Sequence, residues 1–165
     1  MPRSSSRHAA SVTHDAPRLA DFLCFAVYSA NLAYGRAYKP ILDKLGVSYT
    51  QWIIIVALWE QDELTVGQLG EKLFLESNTL TPILKKLESL GLVERRHGTV
   101  DERQRFILLT DKGRALREEG LQRTLVAVTG LTRDEFVETQ RSVVKLRDNL
   151  FAHVRASGQS EDPKS

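Results

Sequence analysis

Two groups of side chains in this chain have the types and spacing for chemistry. The first is a set of small polar donors and cations: Ser77, Asn78, Thr79, Thr81, Lys85 and Lys86. They share a segment whose apolar residues Leu80, Ile83, Leu84, Leu87 and Leu90 recur at helical spacing, so the polar set occupies the other face. Hydroxyls, amides and ammonium groups of this size hydrogen-bond base edges and phosphates. Downstream lie Arg95, Arg96, Arg103 and Arg105, around a basic, Gly-containing loop that also carries Asp101. Their solvated reading is an ordinary hairpin face; their functional reading is contact with phosphate. Arg103, beside Asp101-Glu102, suits a narrow minor groove, where negative potential concentrates. Asp101 would repel phosphate and instead pair with an arginine to hold the loop. The second candidate is Cys24, the only cysteine, on a helical stretch with apolar neighbours. A lone thiol in that setting is either a small packing group or a nucleophile.

The elements that must position these groups can be read from caps and periodicity. Thr65 opens a short amphipathic segment (Leu64, Val66, Leu69, Leu73) with Gln68 at the capping-box spacing. A break at Leu75-Glu76-Ser77 follows, and then the polar-faced helix, closed by Gly91. Ser77, Asn78 and Thr79 can cap that helix as well as read bases, and Pro82 falls at or just beyond its first turn, where a missing amide donor harms least. The runs Leu92-Val93 and Phe106 to Leu109 flank the basic loop as a two-stranded ribbon. Helix, turn, helix and basic hairpin together predict a winged helix-turn-helix and a double-stranded operator DNA as partner.

Around this centre, Leu19, Phe22, Leu23, Ala26, Val27, Ala30 and Ala33 predict a helix that Pro40 kinks or ends. Ser48 with Gln51 opens an almost wholly apolar helix from Trp52 to Trp59, which belongs in the middle of the fold. Thr110-Asp111 caps a helix running to about Thr129, Gly130 breaks it, and Thr132 with Glu135 opens a last helix through Phe136, Val143, Leu146, Leu150 and Val154. The fold class is therefore mainly α with a small β-hairpin: a winged helix-turn-helix domain plus N- and C-terminal dimerisation helices. The divisions expected are a flexible arm over 1–17, an N-terminal sensor and dimerisation segment over 18–47, the DNA-binding domain over 48–110, dimerisation helices over 111–155 and a flexible tail over 156–165. Apolar stripes on the terminal helices need a partner, which a homodimer reading two half-sites supplies.

Composition bounds the rest. A net charge of +2 over 165 residues excludes indiscriminate nucleic-acid coating, so any positive field must be local. The longest apolar run is far shorter than a membrane span, and no apolar signal core follows the basic, Ser-rich start; a cytoplasmic protein without a membrane partner is expected. One cysteine rules out an internal disulfide, and His8, His14, His97 and His153 have no ligand spacing, so neither metal nor other cofactor is expected. No phosphate-cradling glycine loop or nucleophile elbow suggests an enzyme.

Leu80-Thr81-Pro82-Ile83-Leu84-Lys85-Lys86-Leu87-Glu88, Gly91-Leu92-Val93, Asp101-Glu102-Arg103 and Leu109-Thr110 resemble the recognition helix and the D-x-R wing signature of the multiple-antibiotic-resistance-regulator (MarR) family of dimeric winged-helix repressors. A narrower resemblance, to that family's organic-hydroperoxide-sensing repressors, rests on Leu23-Cys24-Phe25-Ala26-Val27-Tyr28, Tyr38-Lys39-Pro40-Ile41-Leu42-Asp43-Lys44-Leu45 and Tyr49-Thr50-Gln51-Trp52. It implies that Cys24 is the peroxide sensor and that Tyr38 and Tyr49 hydrogen-bond it. Members with two sensing cysteines carry the second in the C-terminal helical region; this chain has none, which implies the one-cysteine route.

On that route the thiolate becomes a sulfenic acid that persists, condenses with a small cellular thiol, reacts with a backbone nitrogen or overoxidises. No Lys, Arg or His neighbours Cys24, and Asp21 on the same helix is unfavourable to a thiolate, which leaves the tyrosine hydroxyls as donors. Tyr38 lies fourteen residues after Cys24, roughly 21 Å along a straight helix, so the sensor is expected to be built from two crossing subunits. Two rival readings stand beside this one. A repressor of the same fold could be released by a small aromatic or lipophilic ligand. A thiol peroxidase would turn over peroxide, but it needs no DNA-reading module and would lack a resolving cysteine here.

Overall fold

Three helices begin where a hydroxyl is followed three residues later by Gln or Glu. Ser48 Oγ accepts from Gln51 N at 3.3 Å while Gln51 Oε1 accepts from Ser48 N at 2.8 Å. Thr65 and Gln68 exchange the same pair of bonds at 3.2 and 2.9 Å, and Thr132 and Glu135 at 3.3 and 2.8 Å. Each reciprocal pair satisfies two amides that a helix start leaves orphaned. The computed structural model describes residues 17–98, 104–121 and 129–158. In it the caps open α2 (Tyr49–Glu60), α3 (Val66–Leu73) and α6 (Arg133–Gly158), with α1 (Leu23–Leu45), α4 (Ser77–Ser89) and α5 (Asp111–Leu121) between and before them. The strands are β1 (Leu64–Thr65), β2 (Val93–His97) and β3 (Arg105–Leu109).

The chain forms two compact units, residues 1–36 and 37–165, with α1 continuing from the first into the second. In the first, a 3₁₀ turn (Leu19–Asp21) precedes α1. Asp21 is therefore not in the helix of Cys24 as expected; its carboxylate accepts from Arg18 N at 2.9 Å. Pro40 does not end α1. The helix continues to Leu45 because Leu42 is buried and Leu45 packs on the core, which holds the last turn despite one missing ladder bond. It closes at Gly46, whose φ of 70° lets Val47 N reach Leu42 O at 3.1 Å.

In the second unit α2 buries Trp52, Ile54, Ile55, Ala57 and Leu58, so the helix that is apolar all round does occupy the centre. Leu69 of α3, Leu80, Leu84 and Leu87 of α4, and Leu64, Val93, Ile107 and Leu109 of the sheet close on it. The wing differs from a two-stranded ribbon. β1 adds a third strand in the antiparallel order β1-β3-β2, with Leu64 opposite Ile107. Two residues are too few to show an alternating pattern, and Leu64 reads as helical only because it precedes Val66 and Leu69. β2 and β3 also reach further than their apolar runs, so Arg95, Arg96 and Arg105 are strand residues and not loop residues.

Gly113 and Gly120 let α5 lie close to this core. A Cβ at Gly113 would meet the Leu92 carbonyl at 2.2 Å, and one at Gly120 would meet the Trp52 indole at 2.3 Å. α6 continues to Gly158, past the start expected for a tail, and carries exposed Val137, Val143, Val144, Leu150 and Val154. The arm over 1–16, residues 122–128 and residues 159–165 lie outside the described residues. Among the described residues no single helix is long and apolar enough to cross a membrane.

Candidate nucleic-acid interface

The apolar stripe of α4 seats Leu80, Leu84 and Leu87 against the core and so turns the opposite stripe outward. Asn78, Pro82, Lys85 and Ser89 define that stripe, all exposed, with Thr79 and Lys86 on one flank and Thr81 and Glu88 on the other. Ser77, Asn78 and Thr79 do not cap the helix. The N-cap is Glu76, which makes no side-chain cap bond. Thr79 Oγ1 instead donates to Asn78 Oδ1 at 3.2 Å, and Thr81 Oγ1 donates to Ser77 O at 2.7 Å. Thr81, half-buried, thus uses its donor inside the helix.

The sheet divides the arginines. Side chains of paired antiparallel residues share a face. Arg95 and His97 of β2 therefore face the same side as Ile107 and Arg105 of β3, whereas Arg96 shares the other face with Glu94 and Phe106. On the first face Arg95 Nε donates to Glu88 Oε2 of α4 at 3.2 Å, and its Nη2 is buried without a hydrogen-bond partner among the described residues. Further along the same face Arg105 Nη1 lies 2.9 Å from His97 Nε2; the guanidinium can only donate, so that ring nitrogen accepts. On the other face Arg96 pairs with Glu94 at 2.7 Å and Glu63 at 3.7 Å, beside a cleft of about 490 Å³ lined by Asp62, Glu63, Glu94, Asp111 and Arg114. Carboxylates outnumber arginines there, which makes that face a poor one for phosphate. Lys85 and Lys86 have no ion pair among the described residues. Asp101 and Arg103 lie outside the described residues.

Several residues that hold this surface in place are not legible as site residues in the sequence. Asp62 accepts from Leu109 N at 3.1 Å and pairs with Arg114, partners 47 and 52 residues away. Thr110 Oγ1 donates to Gly91 O at 2.7 Å and accepts from Gly113 N at 3.1 Å, while Lys112 Nζ donates to Leu90 O at 2.8 Å. The last of these sets a cation at the negative end of α4. Only the Thr110 cap has a local signal, Thr-Asp ahead of a helical run.

In the first unit Cys24, in the first turn of α1, is exposed. In the second, Tyr38 and Tyr49 are half-buried neighbours, their ring centroids 5.2 Å apart at 51°.

A helix-turn-helix whose second helix turns a polar, lysine-bearing face outward beside a three-stranded wing is a winged helix-turn-helix DNA-binding unit. Residues 36–119 match the family model of the SarA/Rot transcriptional regulators. The chain is 45% identical over 143 residues to the HTH-type transcriptional regulator TtmR of Methylorubrum extorquens, covering 86% of this chain and 72% of that one. It is 42% identical over 107 residues to the organic hydroperoxide resistance transcriptional regulator of Bacillus subtilis, covering 65% and 73%. Among solved structures it is similar to reduced AbfR bound to DNA (TM-score 0.69, 34% identity, 83% and 96% coverage). The chain belongs to the SarA/Rot/MarR-type winged-helix proteins and is a DNA-binding transcriptional regulator.

Proposed function

We propose that this regulator is a homodimeric repressor that leaves its operator when an organic hydroperoxide oxidises Cys24. The observation that carries the reading is a single exposed cysteine at the start of α1 in a chain similar to an organic hydroperoxide resistance regulator and to a protein whose reduced form binds DNA. α4 enters the major groove with Asn78, Thr79 and Lys85 toward the bases and Lys86 toward phosphate. Ser77, at the helix start, meets phosphate, and Thr81, whose hydroxyl is occupied within the helix, contributes its methyl group. The wing meets the phosphate backbone with Arg105, and Arg103 keeps its expected minor-groove contact, with Asp101 pairing an arginine. Arg95 acts through Glu88 to hold the wing against α4, and Arg96 is assigned to the acidic far face instead of DNA.

The exposed apolar side chains of α1 and α6 bury against a second copy, and the paired recognition helices meet half-sites roughly 34–36 Å apart. In the step itself the Cys24 thiolate attacks the distal peroxide oxygen. The O–O bond breaks, sulfur gains the distal hydroxyl as sulfenic acid, and the leaving alkoxide takes a proton from solvent and departs as an alcohol. A small cellular thiol then condenses with it, forming a mixed disulfide and water. The partner subunit's Tyr38, on its crossing α1, and the partner subunit's Tyr49, at the start of its α2, donate hydrogen bonds to the sulfur. A bulkier, polar sulfur at a subunit interface displaces those rings and rotates the DNA-binding units apart.

The test is binding to the DNA upstream of the chain's own coding sequence, reduced and after cumene hydroperoxide, beside Cys24→Ser. The expected result is a roughly 5–150-fold loss of affinity for the oxidised wild type, the span of ordinary allosteric couplings, and none for the serine variant. If both proteins stay bound, Cys24 is a packing residue and a small aromatic or lipophilic ligand becomes the signal to test. Catalytic rather than stoichiometric consumption of peroxide would favour a peroxidase.

A further inference from the structure

The turn of the helix-turn-helix contains a residue that local conformation disfavours. Phe74 closes α3 with φ 56° and ψ 39°, the left-handed conformation usually reserved for glycine. The turn itself is tight: Leu75 N donates to Gly70 O at 2.9 Å, and a Cβ on Gly70 would meet the Leu75 carbonyl at 2.7 Å. A large aromatic held there is strained and half-exposed, and such strain persists where surrounding contacts over-determine it. Those contacts come from α6. The Phe74 ring stacks on Phe151 with centroids 4.6 Å apart and planes at 17°, and the Arg147 guanidinium lies over the same ring at 4.8 Å. Arg147 and Phe151 are four residues apart, on one face of α6.

We infer that Phe74, Phe151 and Arg147 form an aromatic latch that fixes the turn before the recognition helix to α6, and so sets how far apart the two recognition helices of a dimer stand. This rests on the proposed dimer through α6. Phe74 is a positioning residue: α4 begins three residues after it, at Ser77, so the orientation of the polar face is fixed where the latch closes. Stacked aromatic rings with a cation over one of them resist sliding better than aliphatic contacts, because each has a preferred geometry.

Phe74→Gly separates this role from folding, since glycine relieves the left-handed strain while it opens the latch. The experiment measures melting temperature and affinity of the full chain for its upstream operator, and for operators with one and two base pairs inserted between half-sites. The latch predicts that Phe74→Gly melts no lower than wild type, yet binds the natural operator about tenfold more weakly and no longer discriminates against the altered spacings. Phe151→Ala should lose affinity by the same factor and the double variant no further, while Phe151→Tyr stays near wild type. The latch is overturned if either single variant binds all operators as wild type does, or if the two losses simply multiply. A wild-type protein indifferent to spacing, or monomeric by sedimentation on DNA, would instead overturn the dimer reading and this inference with it.

Discussion

Gly120→Ala tests how closely α5 lies on the core. The new methyl carbon would stand 2.3 Å from Trp52 Cη2, 2.5 Å from Cζ3 and 3.1 Å from Cζ2. Carbon atoms settle at about 3.5–4.0 Å, so the gap must open by roughly 1.2–1.7 Å. Trp52 is only 6% exposed, and close-packed interiors leave an indole little room to swing, so the helix itself has to move. Overpacking of this kind costs about 1–3 kcal/mol, offset by up to about 1 kcal/mol of helix propensity that alanine gains over glycine. A net loss of about 1–2 kcal/mol lowers the melting temperature by roughly 2–8 °C in a protein of this size. The assay is thermal unfolding at one fixed protein concentration, because the melting temperature of the proposed dimer would depend on concentration. Gly67→Ala is the control, since among the described residues the new methyl, apart from its own helix backbone, would meet Thr65 Oγ1 alone, at an ordinary 3.9 Å. It should be neutral or slightly stabilising. In a Trp52→Phe background, which removes the offending ring edge, Gly120→Ala should cost clearly less than it does alone. Equal melting temperatures for Gly120→Ala and wild type would refute the close approach of α5 to α2.

Other outcomes follow from the same contacts. Asp62→Ala leaves Leu109 N and Arg114 without their acceptor and should cost about 2 kcal/mol, or roughly 4–8 °C, by thermal unfolding. Lys86→Ala, at the lysine assigned to phosphate, should flatten the dependence of log affinity on log salt by about 0.9, Lys85→Ala, assigned to the bases, should relax sequence preference, and Arg96→Ala should leave the slope unchanged. Glu135 accepts from the Thr132 backbone amide and hydroxyl, which holds its carboxyl below the ordinary 4.5. That cap contributes fully above the unfolded value and is lost as pH falls through the lower folded one. The protection factor of the first α6 amides, taken against the intrinsic exchange rate at each pH, should therefore fall on acidification in wild type, an acid step that Glu135→Gln removes.

The parts of the fold that local chemistry dictates were legible. Capping boxes at Ser48, Thr65 and Thr132, Gly91 at the end of α4, and the all-round apolar α2 were readable because each rests on residues within a few positions of one another. Misreadings arose where tertiary contacts override local preference. Pro40, expected to kink or end α1, does not end it because Leu42 anchors the last turn, and β1 exists only because β3 passes beside it. The candidate surface divides in the same way. The outward polar face of α4 follows from helical periodicity, but the split between Arg95 and Arg96 required the register with β3, and the roles of Glu88 and Asp62 required knowing what comes near them. Phe74 gave no signal at all, since a left-handed phenylalanine is a property of the folded turn and not of its composition.

The seams around α5 carry a thermodynamic consequence. Lys112 is tied to the end of α4, Thr110 to Gly91, Arg114 to Asp62, and Gly113 and Gly120 press the helix onto Leu92 and Trp52. A body sewn together at so many points has no cheap internal way to loosen its grip on DNA. A release that keeps those contacts leaves the buried surface of the unit unchanged. Whatever signal releases it should then leave almost no heat-capacity signature within the DNA-binding unit itself, and calorimetry of the oxidised and reduced proteins should give nearly parallel unfolding curves even where their operator affinities differ widely.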